Sequence, residues 1–265
     1  MTWSLGLEDR GVIVTGAAGG IGRAVAHAFA QAGARVALVD LDQAGCERVV
    51  AELSQPERHL ALGADLTDLA AHESLVESAL QRFGRLDALA HLAAVLRRRA
   101  SLDEVTESDW DLQFDTNVKA TFFLNRAVAT AFRRAGGGGA IINFTSQGWL
   151  TGGYGGSAVY AASKGAIVSL SRGLARTLAA DGITVNTVAP GAADTAMMRG
   201  GSTEADLAAF TSMIPLGRMA QPDELTGIVL LLASDHARYI NRRDDQRERR
   251  PDHVLMVSHP GGSNL

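Results

Sequence analysis

A tyrosine and a lysine stand four positions apart in Tyr160-Ala161-Ala162-Ser163-Lys164, so in a helix they share a face one turn apart. The chain has three tyrosines and only two lysines, Lys119 and Lys164, and random placement would give roughly 0.02 such pairs. A phenol with its ordinary pKa of about 10 is a poor base at neutral pH, and bringing it to about 7 takes roughly 4 kcal/mol. One cation at about 4 Å supplies that much at an effective dielectric of about 20, so Lys164, helped by the positive ring of an oxidised cofactor, is expected to be sufficient in magnitude. Most other positive charges are arginine, and a lysine kept here suits a site needing a compact ammonium. This pair is expected to move a proton, with Tyr160 as general acid/base. Ser146, after an apolar run, could hydrogen-bond a substrate oxygen beside it, or merely cap a turn. Asn117 could hold a water for relay to Lys164, or satisfy its own helix.

A second cluster points to a dinucleotide. Thr15-Gly16-Ala17-Ala18-Gly19-Gly20-Ile21-Gly22 joins a short strand pattern to a helical one. Glycines there allow a tight turn and close backbone approach to a pyrophosphate, which the helix N-terminus favours. Gly16, Gly19, Gly20, Ile21 and Gly22 are therefore expected to bind the cofactor. Asp40 ends the next strand, where a carboxylate accepts ribose hydroxyls and repels a 2′-phosphate, which argues for NAD over NADP; the alternative is that it caps the second helix. Asp65 and Leu66 are placed to meet the adenine edge, though Asp65 could equally be an ordinary turn residue; Ala93 is expected to contact the cofactor, and Pro190 and Gly191 to wall the nicotinamide with Thr195 near its carboxamide.

These residues need a scaffold that delivers them to one edge. Apolar runs at Val12–Val14, Arg35–Val39, Leu60–Ala64, Asp87–Leu92, Ala140–Phe144, Thr184–Val188 and Val254–Val257 read as strands. Helical patterns at Gly20–Ala32, Leu69–Phe83, Asp109–Arg134, Ala158–Ala180 and Pro222–Ala233 lie between them. Continuous apolar strands are covered on both faces, which predicts a doubly wound parallel α/β sheet. Its 265 residues are expected to form one domain, 1–265, with a substrate lid over 192–220 after a strand. No metal site is expected.

Thr15–Gly22, Asn117, Ser146, Tyr160–Lys164 and Pro190-Gly191 together resemble the short-chain dehydrogenase/reductase family in its compact, one-domain branch. The resemblance implies a seven-stranded Rossmann sheet, order 3-2-1-4-5-6-7, and a tetrad in which Asn117 orders a water, Ser146 binds the carbonyl oxygen, Tyr160 is acid/base and Lys164 tunes it. It implies hydride transfer between NAD and a secondary alcohol or ketone, by a homo-dimer or homo-tetramer. An NADPH-dependent ketoacyl-type reductase and a non-catalytic NAD sensor are the alternatives. The chain departs from the family pattern at His91-Leu92-Ala93-Ala94, where the family has Asn-Asn-Ala-Gly; lost inter-strand hydrogen bonds are expected. It departs again at Asn241–Asp252, a charged insertion that either forms an inert surface loop or weakens one subunit interface.

Bulk properties agree with this reading. A formal net charge of -4 offers no footprint for nucleic acid or an acidic membrane surface. No apolar run approaches the ~18 residues of a membrane span. The single cysteine, Cys46, suits a reducing cytoplasm, and Met1–Ser4 lacks a basic start to an apolar leader. Trp149, Leu150, Tyr154, Val95, Met197 and Met198 are expected to border a partly apolar substrate pocket. Arg97, Arg98 and Arg99 either meet an anionic substrate or form an exposed basic loop.

Overall fold

The computed structural model describes residues 4–241 and the backbone of 255–257. The elements follow one another as β1 (Gly11–Thr15), α1 (Gly20–Gln31), β2 (Arg35–Asp40), α2 (Gln43–Glu52), β3 (Leu60–Gly63), α3 (Ala71–Phe83), β4 (Ala88–His91), α4 (Glu107–Phe114) and α5 (Ala120–Arg134). Then come β5 (Gly139–Phe144), α6 (Gly148–Thr151), α7 (Ala158–Leu178), β6 (Ile183–Pro190), α8 (Ala196–Arg199), α9 (Glu204–Ser212), α10 (Thr226–Ala233) and β7 (Leu255–Val257). The strands form one parallel seven-stranded sheet in the order β3-β2-β1-β4-β5-β6-β7, as the resemblance implied.

Alternation along each strand builds two cores. Val12, Val14, Val36, Leu38, Ala90 and Ile142 pack with α1 and α10 on one face, while Ile13, Ala37, Val39, Leu89 and Ile141 pack with α3, α5 and α7 on the other. Both sets are fully buried, which explains why the strands read as unbroken apolar runs.

Two expectations need adjusting. The single helix expected over Asp109–Arg134 is α4 and α5 joined by one π turn, Asp115–Lys119. The start of the helix expected over Pro222–Ala233 is a separate 3₁₀ turn, Pro222–Leu225. The segment expected as a lid folds into α8 and α9, with Ala193 bridged to Ala220.

Of the charged insertion expected at Asn241–Asp252, only Asn241 lies among the described residues. Its amide oxygen accepts the Val185 N–H at 3.1 Å and its amide nitrogen donates to the Ala175 carbonyl at 3.3 Å. β7 takes up the pairing of β6 further on, at Val188–Pro190.

Candidate active site

The carboxyl ends of the strands open into a cavity of about 420 Å³. Its wall includes Gly16, Gly19, Gly20, Ile21 and Gly22 from the β1–α1 loop, Asp40 from β2, Ser146 after β5, and Tyr160 and Lys164 from α7. Pro190 at the end of β6, and Gly191 and Thr195 beyond it, also line it. The topology thus gathers residues from widely separated parts of the chain at the edge where such sheets bind ligands.

Two glycines explain the shape of the first loop. Gly16 has φ +67°, which lets β1 turn sharply into the loop. A Cβ on Gly22 would lie 2.0 Å from the Gly16 carbonyl oxygen, so only glycine lets α1 start this close to the strand. The first turn of α1 has no side-chain cap and no acidic residue, while the space beside Gly19 is open for 4 Å around an added Cβ. An uncapped, positive helix end facing open space fits a pyrophosphate. Asp40 lies beside it, with Oδ2 accepting the Ala18 N–H at 3.1 Å and Oδ1 the Asp42 N–H at 3.2 Å. It does not cap the second helix; Asp42 does, accepting the Gly45 N–H at 2.9 Å.

Asp65, Leu66 and Ala93 are not among the residues that line the cavity. Asp65 folds into a local turn in which Oδ1 accepts from the Thr67 N–H and hydroxyl, at 2.9 and 2.7 Å. Leu66 is buried in the core, and Ala93 packs against the same core while its N–H donates to Thr15 Oγ1 at 3.0 Å. Leu92 and Ala94, on either side of Ala93 in the alternating backbone, line the cavity.

At the other end, Ser146 hydrogen-bonds the Tyr160 side chain, and its hydroxyl oxygen accepts the Gly148 N–H at 3.1 Å. Lys164 Nζ is 5.6 Å from the centre of the Tyr160 ring and donates to the Phe144 carbonyl at 2.9 Å. Burial pushes the Tyr160 phenol up to about 12, with the Ser146 hydrogen bond and the Arg98 charge pulling the other way. Burial also brings the Lys164 ammonium down to about 8. Both groups are thus pushed toward their uncharged forms, so positive charge beside the phenol must offset its burial.

Asn117 sits in the π turn, a feature that often marks functional sites. Its side chain clamps the backbone after β4: Oδ1 accepts the Val95 N–H at 2.8 Å, and Nδ2 donates to the Val95 carbonyl at 2.9 Å and to Ser163 Oγ at 3.0 Å. It therefore spans two elements rather than satisfying its own helix.

His91 reverses an expectation. It is 3% exposed and, in place of lost asparagine bonds, forms new ones. The Leu92 and Ala93 N–H groups donate to Thr15 Oγ1, so that hydroxyl donates to His91 Nδ1 at 2.8 Å. The Thr121 hydroxyl donates to the Asn117 carbonyl at 2.6 Å, so His91 Nε2–H donates to Thr121 Oγ1 at 2.9 Å. The imidazole is thereby held neutral in one tautomer, and burial, with lesser repulsion from Lys164 and His72, brings its pKa down to about 3. Its partners lie 76 and 30 positions away, which no local pattern reveals.

Of the expected pocket residues, Tyr154, Met197 and Met198 line the cavity and Trp149, Leu150 and Val95 do not. Phe210 of α9 joins them, its ring 5.3 Å from that of Tyr154. Of the arginine triplet, Arg98 alone reaches this cavity; the sequence signal was present but did not separate it from its neighbours.

Residues 16–243 match the family described as enoyl-(acyl carrier protein) reductase. The chain is 36% identical over 239 residues to a D-threitol dehydrogenase of Mycolicibacterium smegmatis, covering 90% of this chain and 91% of that one. Its fold superposes with a TM-score of 0.81 on a 3-ketoacyl-(acyl-carrier-protein) reductase of Brucella melitensis complexed with NADH, at 31% identity over 89% of this chain and 95% of the other. A short chain dehydrogenase of Burkholderia cenocepacia in complex with NADP also gives 0.81, at 34% identity over 89% and 95%. Sheet order, glycine loop, the Tyr160–Lys164 pair and these similarities converge: the chain is an oxidoreductase belonging to the short-chain dehydrogenase/reductase family.

Proposed function

We propose that this protein interconverts a secondary alcohol and its ketone with NAD as the hydride carrier. The observation that carries the reading is the cavity itself, which sets the Ser146–Tyr160–Lys164 group opposite an uncapped helix end and a carboxylate. When bound, the nicotinamide supplies a hydride acceptor or donor and, oxidised, a further positive charge. In the oxidising direction Tyr160 takes the hydroxyl proton of the alcohol; in the reducing direction it returns that proton to the ketone oxygen. Ser146 holds the same oxygen through its hydroxyl. Lys164 and Arg98 add positive charge near the phenolate. Asn117 fixes the loop at Val95 against α7 and is the residue we assign to water ordering, through its backbone.

Asp40 supports NAD over NADP, because a 2′-phosphate beside its carboxylate would be repelled. The D-threitol dehydrogenase similarity supports an alcohol substrate. The whole chain, 1–265, is read as one catalytic domain of a homo-oligomer in the reducing cytoplasm, and residues 192–220 as its substrate lid.

A panel of secondary alcohols assayed with NAD and with NADP, following nicotinamide absorbance, tests this. Reduction of NAD in preference to NADP is expected. Tyr160→Phe should retain NAD binding and lose nearly all turnover. Retention of more than about a tenth of kcat, an effect below about 1.4 kcal/mol, would assign the acid/base role elsewhere.

A further inference from the structure

Three consecutive arginines meet three different fates. Arg99 forms a two-pronged ion pair with the buried Asp109, Nε to Oδ2 at 2.8 Å and Nη2 to Oδ1 at 2.6 Å. Arg97 is exposed and borders a separate, smaller cavity. Arg98 enters the wall of the active-site cavity. Its Nη1 donates to the Gly200 carbonyl at 2.8 Å, and Nη2 lies 3.9 Å from Met198 Sδ. Both partners are neutral, and among the described residues no carboxylate pairs with this guanidinium.

The backbone that carries Arg98 is tied on either side. The Arg97 N–H donates to Gln113 Oε1 at 3.1 Å and the Arg99 N–H to the Gly156 carbonyl at 3.2 Å. A fixed loop therefore delivers the charge, whereas an exposed basic loop would leave it in solvent. The site is near the reacting end, since the Arg98 charge acts on the Tyr160 phenol. The other charged groups in the cavity wall are Asp40, at the glycine-loop end, and Lys164, whose ammonium is turned onto the Phe144 carbonyl.

We propose that the substrate is an anion, a secondary alcohol or ketone bearing a carboxylate or phosphate, and that Arg98 binds its charged group. The proposal rests on the alcohol/ketone reading of the site. A neutral polyol would leave a half-buried guanidinium without a countercharge, whereas an anionic oxygen group matches its planar fork and gains charge-assisted hydrogen bonds. Met197, Met198, Tyr154 and Phe210 would then cover the carbon skeleton between the charge and the reacting carbon.

Matched probes decide it: 3-hydroxybutyrate against butane-1,3-diol, and propane-1,2-diol 1-phosphate against propane-1,2-diol. Each pair is assayed with NAD on wild type, Arg98→Gln and Arg98→Lys, with thermal melting to verify folding. The wild type should favour at least one anion over its neutral mate by tenfold or more in kcat/KM. Arg98→Gln should reduce that ratio at least tenfold and Arg98→Lys restore part of it. The pair with the larger ratio identifies carboxylate or phosphate as the recognised group. A wild type that treats both pairs alike, or a ratio unchanged in Arg98→Gln, overturns the proposal. If no alcohol is oxidised, the functional reading fails by itself. Saturation-transfer NMR of the same probes with the NADH-loaded protein then settles anion binding: selective binding lost in Arg98→Gln supports it, and equal binding by both proteins refutes it.

Discussion

His91 holds the first residue of the cofactor loop to the helix layer behind the active site, and it does so only while neutral. In the unfolded chain a histidine titrates near 6.5, whereas burial holds this one at about 3. The unfolded state therefore binds a proton that the native state refuses, and stability falls as pH drops from about 6.5 toward about 3. Between pH 7.5 and 5 this residue should cost about 2 kcal/mol, measurable by urea unfolding. His91→Leu should lose about 1–3 kcal/mol at pH 7.5, because Thr15 and Thr121 lose their partner, and should show a shallower acid slope. An acid slope equal to that of the wild type would mean that other groups govern it. Site residues were legible where one motif contained both partners, as in Tyr160 and Lys164. They were illegible where burial decided the chemistry: the pair was expected to meet near neutrality, yet desolvation pushes both groups toward their uncharged forms.

The π turn between α4 and α5 sets the clamp on Val95. It adds a residue to one turn, which turns Asn117 toward the β4 loop and Ser163. No glycine or proline falls between Asp109 and Arg134, which explains why the pattern read as one helix. Strands were easier to read, because residues buried on both faces leave unbroken apolar runs. The sheet order was not legible from those runs; it came from the resemblance, since parallel neighbours are chosen by crossovers and not by local pattern. Asn117→Ala should free the Val95 amide and loosen the loop that carries Arg98. We expect faster amide exchange at Val95, at least a tenfold fall in kcat and a much smaller change in NAD affinity. Unchanged exchange at Val95 would show that other contacts hold the loop.

At the scale of the molecule, α4 and α5 carry large apolar side chains outward: Trp110 is 46% exposed, stacked on Phe114, and Phe122 is 37% exposed. Such side chains clustered on one helical layer suit burial against another copy. Light scattering at micromolar concentration should give two or four times the chain mass, and Trp110→Glu should lower that mass. A wild-type monomer would refute this assembly.

The side chain of Asn241 has a consequence for how such molecules coexist in a crowded solution. An outer strand with unpaired amides is a template for another chain, and long flat edges invite aggregation. β6 is guarded in two ways: backbone pairing at Val188–Pro190, and the single amide of Asn241 at Val185, with the Ile240 carbonyl accepting from Asn186 at 2.7 Å. Before the sheet reaches its last strand, an asparagine has already closed that stretch to a stranger's backbone.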